Sequence, residues 1–262
     1  MVGRGVIFKV FVRSFFIQSS WNYGEIQGLG FSSAIDPAIA AIYQDEEARA
    51  EARVRHREAF NIHPYMSAPV LGAVIKMEEE VMAGKRDPED IILFKKSLSS
   101  PYSAIGDMFF WGSVRPFASI VSIGAALYFG MLALLLFLIV YNLFHLWMRW
   151  FGLTIGCRLG VDVVEYIKEL ELLKWGRRIR YLTVLILAFV MASFMLRMVP
   201  LGPLAQLHGS FPLSTHLMIV PFTLVVLILA SLLRRGISIT GLIFMIAIPM
   251  TFVVLLGSIW LF

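Results

Sequence analysis

Gln18, Trp21, Asn22, Glu25 and Gln27 stand close together in "RSFFIQSSWNYGEIQGLGF" (13–31), and amides, a carboxylate and an indole are groups that a polyhydroxylated ligand needs. Hydroxyls require several donors and acceptors at once, which amides supply. An aromatic face can also pack on the C–H side of a sugar ring. On a helix, Gln18, Asn22 and Glu25 would share one stripe with Trp21 and Phe15 or Phe16 beside it. The same stripe equally suits hydrogen bonding between helices of a membrane bundle. Gly28 and Gly30 suit a turn or a close backbone approach, and no Lys-Ser/Thr follows them to make a phosphate loop.

Three other groups could do chemistry. In "FNIHPYM" (60–66), Asn61, His63 and Tyr65 surround a proline, and a histidine with a pKa near 6.5 can either hydrogen-bond or handle a proton. In "SAIGDMFFWGSVRP" (103–116), Asp107 and Arg115 flank an aromatic run; an ionisable group at membrane depth marks a site, and Asp107 could equally cap a helix. Asn142, His145, Arg149 and Arg158 lie at the cytoplasmic end of an apolar span and read as interface anchors. No nucleophile elbow, HExxH helix or Walker sequence is present, and the single Cys157 cannot form an internal disulfide. No catalytic residue, metal or cofactor is expected.

The elements that must position these groups are set by an oily composition. Of 262 residues, 58% are hydrophobic and only 16% charged, against roughly a quarter charged in soluble domains, and the mean hydropathy is +0.77. The bilayer is the expected solvent. The net charge of +5 suggests no nucleic acid, because the basic residues flank apolar spans where the positive-inside bias accounts for them. The expected fold is all-α: a polytopic helical membrane protein with re-entrant or discontinuous helices in residues 1–116 and about four spanning helices in 117–262. The spans fall at 117–147, 181–199, 216–233 and 237–262, each meeting the length of about 20 residues that hydrocarbon requires. The first is overlong and should tilt or kink near Gly124 or Gly130.

The loop 148–180 carries Arg149, Arg158, Lys168, Lys174, Arg177, Arg178 and Arg180, whereas 200–215 carries no Lys or Arg. That asymmetry places 148–180 in the cytoplasm and the C-terminus outside. A single crossing at 117–147 would then leave the basic N-terminal part outside, so something earlier must also enter the membrane. The short apolar stretches 67–75 and 103–114 are the candidates. Asp36 followed by Pro37 predicts a helix start, Asp45/Arg49 and Glu51/Arg55 predict i,i+4 pairs, and the helix holding them should stop before Pro64. Gly84 should close one helix and Asp87-Pro88 open the next.

Five ordered blocks, "RSFFIQSSWNYGEIQGLGF", "HREAFNIHPYM", "IGDMFFWGSVRP", "YNLFHLWMRWFGLTIGCRLGVDVV" and "LLRRGIS", resemble the IID subunit of the mannose/fructose/sorbose family of the bacterial phosphotransferase system. The resemblance covers essentially the whole chain and is strongest from 13 to 165. It implies a subunit that is not itself phosphorylated, pairs with a IIC subunit as a sugar-translocating unit, and assembles as a trimer of IIC–IID pairs. Cytoplasmic IIA and IIB would relay the phosphoryl group and IIB would phosphorylate the incoming hexose, so His63 inherits no phosphoryl-carrying role. The chain would not be an enzyme by itself. It would sit in the bacterial inner membrane with a cytoplasmic N-terminus, and Gln18, Trp21, Asn22, Gln27, His63 and Asp107 would line or shape the sugar path. "SPYSAIGD" departs from the glycine-richer GPLAGIGD typical of the family, and Gly24-Glu25 replaces an acidic–basic pair. Alternative readings are a IID-like sensing module without transport and an autonomous membrane enzyme.

Overall fold

The computed structural model describes residues 2–198 and a few positions between 224 and 241, so the expected spans at 216–233 and 237–262 lie outside the described residues as continuous elements. Among the described residues the chain is helical, with only isolated bridges at Asn22–Ile26 and Ile26–Phe60. Helix α1 is Arg4–Ser14, α2 Gly28–Ile42, α3 Glu46–Arg57, α4 Ser67–Met82 and α5 Pro88–Gly106. A π-helix over Asp107–Val114 leads into α6, Arg115–Phe129. Then follow α7 (Ala133–Leu159), α8 (Val163–Glu169) and α9 (Leu172–Met198).

The helix punctuation follows local chemistry in several places. The Asp87 carboxylate accepts from Glu89 N at 2.9 Å and Pro88 takes the first turn, where its missing N–H is harmless. Gly84 lies beyond the end of α4 at φ +67°, and α3 ends at Arg57, ahead of Pro64. Other signals were overridden. Asp36 does not start a helix: α2 runs through it and Pro37, and its carboxylate instead meets Arg13 at 3.2 Å and Arg53 at 2.8 Å. Asp45 caps α3 through Ala48 N, while Arg49 pairs with Glu46 and Arg55 with Glu78. The polar stripe expected in 13–31 is not a helical face either, because α1 ends at Ser14 and turns follow it.

The overlong apolar segment is not one span. Gly130, at φ +54°, ends α6 and a short 3-10 turn over Gly130–Leu132 leads into α7. The Phe109 and Phe144 rings lie 6.3 Å apart on either side of that turn and α6 packs along α7, so the chain doubles back as a helical hairpin. Helix α9 returns alongside α6. Gly176 faces Ser113 and Gly124 faces Val190, so the two helices run in the same direction. The run from Pro88 to Met191 holds the one stretch, among the described residues, that is long and apolar enough to cross a membrane. The expected interruption at 103–114 takes the form of the π-helix, a feature that often marks functional positions. The 67–75 stretch is instead unbroken helix, buried against other helices of the protein.

Helices α4 and α7 form the closest packing in the fold. A side chain on Gly72 would strike the Leu153 carbonyl, and one on Gly156 the Pro69 carbonyl; a Cβ on Gly152 would lie 2.8 Å from Pro69 Cδ. Small residues at i and i+4 let two helix backbones meet, as in membrane bundles.

Between α2, α3, α4 and α5 lies a buried charge cluster. Glu78 accepts from Tyr43 Oη at 2.6 Å and from Arg55 Nε and Nη2 at 3.1 and 2.9 Å. His56 Nε2 lies 2.9 Å from Glu78 Oε1, off line for a hydrogen bond. Lys95 Nζ donates to His56 O at 3.2 Å and sits 4.6 Å from the centre of the Phe31 ring. Burial lowers His56 to about 4 and Lys95 to about 7. Burial alone would raise the Glu78 carboxyl, but His56, Arg55 and Tyr43 outweigh it and hold it at about 2.

These shifts fix the sign of the pH dependence. Between pH 6.5 and 4 the unfolded chain protonates His56 while the folded chain does not, and from about 4.5 down to 2 the same holds for Glu78. Stability should therefore fall steadily with acidification below pH 6.5. Lys95 adds a rise between pH 7 and 10.5, where only the unfolded chain holds its proton. Thermal unfolding midpoints from pH 4 to 9 check this: Lys95→Met should flatten the alkaline rise, and a flat wild-type profile would contradict the burial of these groups.

Candidate sugar-path site

The loop before α2 is tied to the loop before α4. Gln27 N donates to Phe60 O at 2.9 Å and Phe60 N donates to Glu25 O at 3.2 Å. Ile26 takes φ +57°, uncommon for a β-branched residue, and is held there by paired backbone bonds with Asn22. Gly30 makes the expected close approach, since a side chain there would strike the Ile17 carbonyl.

The six residues singled out in the sequence fall into distinct roles. Gln27 is buried and locks the two loops: its Nε2 donates to Ile62 O at 2.8 Å and its Oε1 accepts from Ile62 N at 3.1 Å. Asn22 shapes its own turn, Oδ1 accepting from Gly24 N and Glu25 N at 3.0 and 2.8 Å. Gln18 is exposed, as is Trp21, whose ring contacts Tyr23 at 5.2 Å. Asp107 is exposed at the start of the π-helix and caps nothing; neither it nor Arg115 has an ion-pair partner among the described residues. His63 is 2% exposed, stacks on Phe110 at 5.3 Å and lies beside Trp111 at 4.8 Å. It also packs against Gly106, the residue preceding Asp107. His63 and Asp107 therefore belong to one neighbourhood, and Gln27 braces it through Ile62. No described contact joins Gln18 or Trp21 to Asp107.

His63 Nδ1 accepts from Tyr65 N at 3.3 Å, so the proton of the neutral ring sits on Nε2, a buried donor with no protein partner among the described residues. Tyr65 gathers the rest of the cluster. Its hydroxyl bonds Tyr141 Oη at 2.9 Å, and its ring lies 4.6 Å from His145 and 5.3 Å from the Arg149 guanidinium. Arg149 is 3% exposed and donates from Nη1 to Ser14 O and Oγ at 2.5 and 3.0 Å. His145 and Arg149 are thus not interface anchors but parts of a polar, aromatic seam between α1, α4, the π-helix and α7. Tyr141, His145 and Arg149 recur at i, i+4 and i+8, the signal by which the seam could have been found in the sequence. Asn142 bonds only within its own helix, to Leu138 O at 2.6 Å.

Such a seam offers hydroxyl, imidazole and guanidinium groups among aromatic faces, together with an exposed carboxylate and an exposed indole at its margins. The seam's own polar groups are buried and largely paired with one another, so it joins the helices, and only the groups at its margins are open. Among the described residues no group of His, Cys, Asp and Glu could hold a metal.

The described residues form an all-helical protein with a buried polar seam and one stretch long and apolar enough to cross a membrane. The sequence model of the PTS system mannose/fructose/sorbose family IID component matches residues 2–259, and the chain belongs to that family. It is 39% identical over 158 residues to the PTS system mannose-specific EIID component of Escherichia coli K12, covering 60% of this chain and 56% of the relative. It is 34% identical over 178 residues to the fructose permease IID component of Bacillus subtilis 168, covering 68% of this chain and 62% of that one. The first alignment thus spans little more than half the relative's length. A chain of the cryo-EM structure of the mannose transporter ManYZ with microcin E492 superposes with a TM-score of 0.58 at 30% identity, covering 98% of this chain and 97% of that one.

Proposed function

We propose that this chain is the IID subunit of a sugar phosphotransferase system. With a IIC subunit it forms the unit that carries a hexose inward for phosphorylation by IIB, which is charged by IIA, and the IIC–IID pairs assemble as a trimer. The observation that carries this reading is the end-to-end similarity to a chain of the ManYZ transporter, within a family match that runs from residue 2 to 259.

The hairpin of α6 and α7 supports a specific membrane arrangement. It returns the chain to the side it left, so residues 1–116 and the basic loop 148–180 share one side, which the positive-inside bias makes the cytoplasm. No separate re-entrant segment is then needed to reconcile the charges. Helix α9 crosses next, and the two further spans expected from the sequence at 216–233 and 237–262 would leave the C-terminus outside.

Within that unit, Gln18, Trp21 and Asp107 present free polar or aromatic groups toward IIC and the sugar, His63 supports Asp107 through Gly106, and Asn22 and Gln27 hold the loop that follows Gln18 and Trp21. Asp107→Ala should lower hexose uptake about tenfold, the equivalent of one lost hydrogen bond to a charged group, and Trp21→Ala should act in the same direction. Both variants should still co-purify with IIC. Normal uptake by both would remove them from the sugar path, and loss of the complex would make their role one of assembly.

A further inference from the structure

A cavity of about 550 Å³ opens between α1, α4 and α7. Its walls are apolar and soft, with Ile7, Ile75, Trp150 and Cys157, and Arg4 and Arg158 carry the positive charge. Both arginines are exposed, and neither has an ion-pair partner among the described residues. The cavity also holds one acid, Glu79, whose carboxylate accepts from Val2 N at 2.6 Å and lies 3.9 Å from Lys76 Nζ.

The two arginines stand toward one end of the cavity. Helices α1 and α7 run antiparallel: Phe11 meets Trp150 at 5.2 Å, and Phe15 meets His145 at 5.7 Å. Arg4 lies seven residues before Phe11 and Arg158 eight after Trp150, so at 1.5 Å per residue both sit about 10–12 Å beyond the indole at the same end. Between the arginines and the level of the indole the wall opens onto an exposed apolar surface, where Phe8, 55% exposed, lies 6.4 Å from Trp150. Beyond it, the outer face of α7 carries exposed Leu143 and Leu146. Trp150 stands just past the expected span, at the level where indoles settle among headgroups.

We propose that this cavity binds an anionic phospholipid, its phosphate held between Arg4 and Arg158 and one acyl chain laid over Ile7, Trp150 and Phe8. Two cations at one end and an aromatic, aliphatic wall leading toward hydrocarbon fit a lipid better than a free anion, which would leave the wall unused. Bound there, the lipid ties α1 to α7 at the mouth of the crossing between α4 and α7.

The test is lipid retention by the complex containing this chain, extracted in mild detergent and read by native mass spectrometry. Offered equal amounts of phosphatidylglycerol and phosphatidylcholine, the wild type should retain the former. Arg4→Gln or Arg158→Gln should weaken retention about fivefold and the double variant about thirtyfold, at the strength of one basic residue facing an anionic headgroup. Arg178→Gln, on exposed α9 surface, should leave it unchanged. Equal retention of both lipids, an unaltered double variant, or an equal loss in Arg178→Gln would each overturn the proposal. Displacement of the lipid by millimolar inorganic phosphate would reduce the site to a bare anion site and overturn it as well.

Discussion

Glu78→Ala is expected to destabilise the N-terminal half by about 3–5 kcal/mol, the range found when one partner of a buried ion pair is removed. Glu78 is fully buried and receives Tyr43, both nitrogens of the Arg55 fork and the approach of His56. Without it, the Arg55 guanidinium is left without its carboxylate, Lys95, set between the Phe31 and Phe60 rings, loses a nearby negative charge, and Tyr43 loses its acceptor. The exposed pairs give the contrast. Arg57 with Glu25 or Lys96 with Glu58 should be worth about 0–1 kcal/mol, since solvent screens them. Denaturant or thermal unfolding of the purified complex would read the difference. A loss for Glu78→Ala no larger than that for Lys96→Ala would mean that the cluster does not hold the helices together.

Gly156→Val is also expected to be damaging, for a steric reason. The glycine faces the Pro69 carbonyl and the Ala73 amide of α4, which are backbone atoms that cannot swing aside. Either α4 and α7 separate or α4 bends, and overpacking of this kind typically costs about 1–3 kcal/mol and sometimes more. Because α7 carries Tyr141, His145 and Arg149 while α4 follows directly on the His63–Tyr65 loop, a shift at Gly156 should also disturb the polar seam. Gly124→Val is the comparison, because its nearest neighbour is the Val190 side chain and not backbone. Reduced yield of intact complex for Gly156→Val, with Gly124→Val milder, is the expected result. Equal yields for both would contradict the closeness of the α4–α7 crossing.

Much of the helix punctuation was legible in the sequence because it is local. Asp87-Pro88 and Gly84 act within a turn or two of themselves, and each does what its chemistry predicts, whereas the kink expected near Gly124 or Gly130 is at Gly130 a reversal of the chain. The misreadings arose where tertiary contacts won. Asp36 before Pro37 has the form of a helix start, yet its carboxylate serves Arg13 and Arg53 from inside α2. Arg55 looks paired with Glu51 at i,i+4, but burial against α4 hands it to Glu78, 23 residues away.

The candidate site was legible as residue types and less so as geometry. The stretch 13–31 holds the expected amides, but Gln27 and Asn22 spend them on backbone, and turns replace the helical stripe that would have aligned them. The π-helix was hidden because "DMFFWGSV" has no feature that separates it from an α-helix by period alone. His145 and Arg149 read as anchors from their place at the cytoplasmic end of an apolar span; the packing of α1 across them turns them inward.

The measurement that tests the central claim most directly is phosphoenolpyruvate-dependent uptake of a hexose panel in cells lacking their own IIC and IID. Those cells would express this chain with its matching IIC, IIA and IIB, and a control would omit this chain alone. The account predicts uptake of at least one hexose that disappears in the control. Uptake that persists without this chain, or none for any hexose despite a stable complex with IIC, would contradict it.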